Sequence, residues 1–346
     1  MDIQRKLVTF RTVSEIIPIE GAESIELAKV DGWQCVVKKG EFKAGDSGIF
    51  FEIDCLLPKL PVFDFLSSRG TKKMFVNGKE IEGYRLRTIK LRGQLSQGLL
   101  LPVTSFDPPL STIDDWSEHL GVIKYEAPIP AELAGQAKGT FPSFIQKTDQ
   151  ERCQNLTRKI EEWARDGVRF EITEKLDGSS MTVYLNNGEF GVCSRNMDLI
   201  ETEGNTRWRL VRELDLETKL RELGRNIALQ GELIGAGVQG NPYKLAGQEF
   251  RIFDVFDIDK SEYLLPDDRI SLLEEMCIDL DRNHVPVIES ASAISGDTAV
   301  LLRLAEGKAT LADVEREGLV FKATGNADGA YRSFKVISNK FLLNEK

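Results

Sequence analysis

Lys175, followed at once by Leu-Asp-Gly-Ser-Ser, opens the string of residues with the most specific chemical potential in this chain. The alternation of Phe170, Ile172 and Glu174 before it predicts a strand whose end carries the lysine to the wall of a cleft. The glycine and two small hydroxyl residues after it allow a phosphate chain to approach the backbone closely. A lysine amine is a poor nucleophile at its ordinary pKa of about 10.4, so covalent use requires neighbouring cations or desolvation. Lys322 in GLVFK and Lys335 in SFKVIS can supply those cations if the terminal strands close the same cleft. An isolated lysine after a strand is ordinarily a surface charge, and it is the company of this one that argues otherwise. Glu232 in QGELIG and Glu317 in EGLVFK sit beside glycine at the edges of apolar strands, where an unpaired buried carboxylate is costly. With Asp177 they make three carboxylates able to hold magnesium or its waters, an ion that keeps several waters and takes few protein ligands. Phe253 and Phe256 in EFRIFDVFDI both read as core, yet either could offer its ring to a purine, and periodicity does not separate them. Arg195 in CSRN, just after a strand, is well placed for a ribose or a phosphate.

The elements that must hold these residues divide the 346-residue chain in two. Residues 7–57 alternate with period two in LVTFRTV, IELAKV, WQCVVKKG and SGIFFEIDCLL, separated by Gly/Asp/Glu turns, and a further pair lies around YRLRTIKLRG and QGLLLPV. Five to six closely spaced strands predict a small β-barrel of the oligonucleotide-binding type over residues 1–105; a sandwich gives similar spacing. Residues 106–140 are proline-rich and read as a linker with one short helix around Asp114 to Leu120. Residues 141–346 predict an α+β domain on antiparallel sheets. It holds a helix over 149–166, a hairpin series through VRFEITEKLDGSSMTVYL, NNG and EFGVCSRN, and a helix over Thr206–Glu222. The strands IALQGELIG and EFRIFDVFDI, helices at Pro266–Leu280 and Thr298–Ala305, and the terminal strands GLVFKAT and YRSFKVIS complete it.

Composition excludes several classes. No apolar run approaches the ~18 residues of a membrane span, so no membrane partner is expected. The start MDIQRKLVTF lacks a secretory pattern, which predicts a cytosolic protein. Five scattered cysteines without a C-x-x-C pair disfavour a disulfide framework and structural zinc. There is no G-x-x-x-x-G-K-[ST] loop or strand-following G-x-G-x-x-G, and neither His119 nor His284 lies beside a triad serine. The formal charge of −10 argues against a polyanionic partner, but it is uneven. Residues 1–147 hold 19 basic and 19 acidic side chains, so the whole excess lies beyond them. Within that neutral part, Arg69 to Arg92 carries Lys72, Lys73, Arg85 and Arg87 among eight basic residues against only Glu80 and Glu82. Phe75 and Tyr84 are interleaved with them, a pattern that suits a single strand or strand end and that a solvated basic loop also shows.

The order Lys175-Leu-Asp-Gly-Ser, Ser194-Arg195-Asn196, Gly231-Glu232-Leu233-Ile234-Gly235, Phe250-Arg-Ile-Phe253-Asp254, Glu317-Gly-Leu-Val-Phe-Lys322 and Ser333-Phe-Lys335 resembles the covalent nucleotidyltransferase superfamily of polynucleotide ligases and capping enzymes. The chain looks most like the ATP-dependent RNA ligases of the Deinococcus and Naegleria type, whose oligonucleotide-binding domain comes first. The resemblance covers nearly the whole chain. It implies that Lys175 attacks the α-phosphate of ATP to form lysyl-AMP. By the same resemblance Asp177, Glu232 and Glu317 bind the waters of magnesium or manganese, Arg195 contacts ribose or phosphate, and Phe253 stacks on adenine. Lys322 and Lys335 would contact the α-phosphate and its developing charge. AMP transfer to a 5′-phosphate and attack by a 3′-hydroxyl would follow, on nicked or broken RNA, in RNA repair by a monomeric protein. Only 11 residues follow Lys335, which favours RNA ligase over relatives with a C-terminal oligonucleotide-binding domain. One position departs from the family pattern: relatives often have lysine where Ser333 stands, and Arg332 or Lys340 are the candidates to replace it. Two other readings remain open, a GTP-dependent guanylyltransferase using the same lysine and a non-catalytic nucleic-acid-binding module.

Overall fold

The alternating apolar residues of the first hundred positions do form strands. The computed structural model describes residues 5–76, 78–106, 115–127, 135–325 and 331–344. The chain divides into two units, residues 1–129 with 342–346 and residues 130–341. In the first unit the strands are β1 (Val8–Pro18), β2 (Ile25–Val30), β3 (Trp33–Lys38), β4 (Ser47–Phe51) and β5 (Cys55–Leu57). They are followed by β6 (Lys72–Val76), β7 (Lys79–Arg85), β8 (Ile89–Leu91), β9 (Gln94–Ser96), β10 (Leu99–Pro102) and β11 (Ile123–Lys124). β1 pairs with β4 along its first half and with β2 along its second, and its register shifts between Val13 and Glu15. Such a bulge adds bend and twist, which curls the sheet β10-β4-β1-β2-β3 around a core of Trp33, Phe50 and Leu100. The Gln97 N–H donates to Gln34 O at 2.8 Å, so the approach to β10 lies against β3 and the curl nearly closes. This is the barrel expected from the sequence.

Several local expectations are corrected. The segment Pro61–Arg69 is a 3-10 helix and Lys72–Val76 an additional strand hairpinned to β7. Tyr84 is not a stacking surface: it packs in the core with Phe63 and Trp116, whereas Phe75 is 68% exposed. Of the short helix expected near Asp114 to Leu120, Asp114 lies outside the described residues and 117–121 form only a turn closed by Leu120 N donating to Trp116 O. The stretch read as linker contributes β11, paired with β5, and β12 (Ala137–Thr140), paired with a strand of the second unit.

The second unit contains β13 (Arg169–Lys175), β14 (Ser179–Asn186), β15 (Glu189–Cys193), β16 (Met197–Leu199), β17 (Ile227–Gly235), β18 (Gln248–Asp257) and β19 (Glu262–Tyr263). The remaining strands are β20 (Val287–Ala293), β21 (Gly318–Ala323) and β22 (Ser333–Ile337). They form two antiparallel sheets, β12-β16-β15-β14-β17-β18-β19 and β20-β13-β21-β22. β14 and β15 make the expected hairpin, with Asn187 and Gly188 at positive φ in its turn. β13 does not pair with β14: it belongs to the other sheet, so residues 176–178 carry the chain from one sheet to the next. The expected helix Thr206–Glu222 is two, Thr206–Glu213 and Leu216–Leu223, broken where Asp215 takes φ 51°. Pro266–Leu280 likewise divides into Pro266–Glu275 and Leu280–Asn283, with Cys277 at φ 51° between them. Four cysteines are buried and only Cys277 is exposed, all as free thiols.

The four-stranded sheet packs on helices Thr157–Arg165 and Thr298–Ala305 through an aromatic cluster. Phe321 and Phe334 stack at 4.6 Å, with Trp163 and Phe170 against Phe334. Phe334 sits next to Lys335, so the same packing that anchors β22 sets the lysine on its opposite face. Phe334→Ala is expected to cost about 3–5 kcal/mol, as for other buried aromatic truncations, read as a lower midpoint with unchanged slope in urea unfolding.

Candidate active site

Because the chain crosses between sheets after Lys175, this residue ends one sheet while Ser179 and Ser180 begin a strand of the other. Lys175 pairs in register with Gly318, directly after Glu317, and its Nζ donates to Glu317 Oε1 at 2.6 Å. Burial would lower the pKa of this amine, but Glu317, then Glu232 and Asp177, outweigh it and the net shift is upward. The Lys175 amine is therefore an ammonium held in an ion pair with Glu317. Of the two cations expected to depress it, Lys335 exchanges repulsion with Lys175, whereas Lys322 does not reach that role.

Glu232 lies on β17 opposite Ser180 of β14. Burial pushes its carboxyl up to about 7, with Lys175 opposing and Glu317 and Asp177 adding to the rise. The Asp177 N–H donates to Tyr243 Oη at 2.7 Å, which fixes the loop that carries it. Gly178 has a different reason from the phosphate access expected of it. A Cβ there would meet Leu233 O at 2.5 Å and Glu232 Cγ at 2.8 Å, so only glycine lets this turn close on β17. Among the described residues no three His, Cys, Asp or Glu side chains converge tightly enough to cage a metal ion directly. The set Asp177, Glu232 and Glu317 has the hard oxygen chemistry that suits magnesium or manganese held through waters and substrate phosphates.

The structure resolves the choice between Phe253 and Phe256. β17 and β18 shift register so that Gln230 faces Asp254 and Gly231 faces Ile252, leaving Phe253 as the extra residue of a bulge. The apolar face that runs through Phe250 and Ile252 then continues at Val255, and Asp254 turns away from it. Phe256 is core against Tyr184 and Tyr263, while Phe253 is half-buried among Leu176, Ile234 and Tyr243, beside the Lys175 loop. Lys322 was expected at a phosphate. Its Nζ instead donates to Phe253 O and to Asp254 Oδ1 at 2.7 Å, with both side chains 1% exposed. Asp254 also accepts from Tyr331 Oη at 3.1 Å and Gln150 Nε2 at 3.3 Å. Beside them Arg269 donates to both oxygens of Glu171 at 2.7 Å and to His284 Nε2 at 3.2 Å. Burial and Arg269 hold His284 down near 3, so the imidazole is neutral.

Lys335 Nζ lies 3.3 Å from Asp149 Oδ1, and burial with Arg152 and Lys175 nearby brings it down to about 8. Arg195 is 66% exposed and 4.0 Å from the other oxygen of Asp149. Ser333 faces Lys322 across β21 and β22, and Lys340 is committed to Glu306 at 2.9 Å. In the first unit Lys72 and Arg87 are exposed, Lys73 pairs with Glu80 at 2.8 Å, and Arg85 pairs with Asp54 and lies over Tyr125. Sequence reasoning missed Asp254, Asp149, Arg269 and Glu171. The available signal was an acid or cation at an apolar position of a strand or helix, as in IFDVF.

The Glu232 shift makes a stability prediction. Its native pKa near 7 exceeds the ordinary 4.5, so between these values the folded state holds more protons and stability falls as pH rises. Glu232→Gln removes that loss, so the thermal midpoint of the variant relative to wild type is expected to be higher at pH 8 than at pH 5.

The family model described as OB-fold domain matches residues 7–103, and the model described as RNA ligase matches residues 168–337. No curated protein matches the chain significantly. Among solved structures, a mutant of Naegleria gruberi RNA ligase in the apo state is 45% identical, covering 99% of each chain with a TM-score of 0.83. A mutant of that ligase with ATP and manganese is 46% identical over 98% of this chain and 99% of that one, TM-score 0.83. The same ligase with pyrophosphate is 47% identical over 98% of each chain, TM-score 0.80. Identity at this level along the whole length, on two units of the same architecture, leaves one assignment: this chain belongs to the RNA ligase family.

Proposed function

We propose that the protein is an ATP-dependent RNA ligase that seals a 3′-hydroxyl to a 5′-phosphate through a lysyl-AMP intermediate, in RNA repair. The observation that carries this reading is the contact of Lys175 with Glu317 beside Glu232 and Lys335, in a chain so similar to a ligase seen with ATP and manganese. Lys175 Nζ attacks the α-phosphorus of ATP, a P–N bond forms, the bond to the bridging oxygen breaks and pyrophosphate leaves. Glu317 Oε1 is the acceptor within hydrogen-bond reach for the proton the ammonium must first give up. Lys335 is placed to meet charge developing on the phosphate, and although its pKa is brought down to about 8 it stays largely protonated at neutral pH. Phe253 offers its ring to adenine and Arg195 reaches for ribose or phosphate. Lys322 acts indirectly, holding the Phe253 carbonyl and Asp254 so that the ring keeps its place. Asp177, Glu232 and Glu317 are the residues that would hold magnesium or manganese, which would supply positive charge to neutralise the phosphates. AMP then passes to the 5′-phosphate, and the 3′-hydroxyl displaces it.

Incubation with α-labelled ATP and magnesium is expected to leave acid-labile label on the protein and none on Lys175→Ala. Label taken from GTP alone, or retained in the variant, overturns the reading. In the first unit, among the described residues, the exposed Lys72 and Arg87 are the cations of the four without an ion pair to give up, since Lys73 pairs with Glu80 and Arg85 with Asp54. Reversing Lys72 and Arg87 to glutamate is expected to weaken strand binding several-fold and flatten its salt dependence while lysyl-AMP formation is kept. Equal loss of both steps would assign the pair to folding or to ATP.

A further inference from the structure

Arg207 belongs to none of the motifs above, yet it reaches the start of β14. It lies in the first turn of helix Thr206–Glu213, whose cap Asn205 accepts from the N–H groups of Arg207 and Trp208 at 3.0 and 3.3 Å. The Trp208 indole donates to Leu199 O at 3.2 Å, so the helix start is anchored from below. From there the Arg207 guanidinium extends to the strand that follows the Lys175 loop, donating through Nη2 to Ser179 Oγ at 2.6 Å and Ser180 O at 3.4 Å. Its Nε is shut off from solvent with no hydrogen-bond partner, and among the described residues it forms no ion pair. Burial lowers its pKa, and Glu232 is the carboxylate whose field opposes that shift.

A guanidinium removed from water without a counter-ion and with an unused donor is costly unless something anionic completes it. The other cations of the site form a separate group: Lys335 is coupled to Arg152 and to Lys175. Arg207 stands apart from them, on the edge formed by Ser179, Ser180 and the facing Glu232. The reaction, taken on the reading proposed above, brings two phosphate groups to Lys175 in turn, the triphosphate of ATP and then the 5′-phosphate of the strand.

We propose that Arg207 is the receptor for the RNA 5′-phosphate in the AMP-transfer step. Its Nη1, which no acceptor among the described residues takes while Nη2 serves Ser179 and Ser180, holds one phosphate oxygen, and another oxygen of that phosphate attacks the phosphorus of lysyl-AMP. A P–O bond forms to give the 5′-5′ pyrophosphate linkage, the P–N bond breaks, and its electron pair returns to Lys175 Nζ, which takes up a proton. Among the described residues no carboxylate lies in salt-bridge contact with this cation, and Arg207→Gln keeps an amide donor on the same side, so the free protein is expected to stay close to wild type in thermal midpoint.

The test uses the full chain as wild type, Arg207→Gln and Arg207→Lys, each first charged with α-labelled ATP and then given an RNA strand ending in 5′-phosphate or 5′-hydroxyl. Arg207→Gln is expected to form lysyl-AMP like wild type and to keep its thermal midpoint. It should pass AMP to the strand about 100-fold more slowly, the scale of losing one oriented donor to a reacting phosphate. Its preference for binding the 5′-phosphorylated strand should vanish, and Arg207→Lys, which keeps charge without the guanidinium, should fall between. Transfer at the wild-type rate, or a phosphate preference that survives in Arg207→Gln, overturns the proposal. Loss of adduct formation in both variants also overturns it by assigning Arg207 to ATP or to folding. Failure of wild type itself to form an adduct would instead remove the underlying ligase reading.

Discussion

The buried pair Asp254 and Lys322 is the constraint on which the catalytic unit turns. Asp254 belongs to β18 of the seven-stranded sheet and Lys322 to β21 of the four-stranded sheet, so their contact at 2.7 Å is a strap between the two layers. A second strap runs parallel to it, from Arg269 on the helix packed against the larger sheet to Glu171 on β13 of the smaller. Buried ion pairs are not strong stabilisers against a hydrophobic alternative, but removing one partner typically costs about 3–5 kcal/mol by stranding the other charge. Their value here is positional. Glu171 faces Lys322 across β13 and β21, so the two straps lie side by side and fix the spacing of the sheets along the strands that end at Lys175 and begin at Gly318.

That spacing decides the chemistry. Lys175 and Glu317 come from the smaller sheet and Glu232 and Phe253 from the larger, and each layer alone carries only part of the site. The crossover at residues 176–178 is short, and Gly178 is pressed against β17, so the backbone after Lys175 is held close to Glu232. Phe253 is held by its own carbonyl, which Lys322 takes as an acceptor, and by the bulge that aims its ring. The strap and the placement of Phe253 are thus one construction, and the same lysine serves both.

The electrostatics of the resting site point the same way. Lys175 is kept protonated by the carboxylates that crowd it, and the Glu232 carboxyl is pushed up by burial, with Glu317 and Asp177 adding to the rise. Neither group is in its reactive form until cationic charge arrives to satisfy the carboxylates and release the amine. On the reading proposed above, a site in this state keeps the Lys175 amine protonated until nucleotide arrives.

Read by itself, the sequence determined the long strands of both units and the order of the motifs, because period-two alternation and residue type are local properties. It also determined that Glu232 and Glu317 were unusual, since a carboxylate beside glycine in an apolar strand advertises its own cost. Tertiary structure alone decided what Lys322 does, because a lysine in GLVFK looks the same whether it meets a phosphate or a buried aspartate. It decided between Phe253 and Phe256, because a one-residue bulge inverts every side chain after it and leaves no mark on periodicity. It also decided that β13 and β14 part company after Lys175, since pairing depends on strands such as β21 that lie more than a hundred residues away, and no local pattern carries that information.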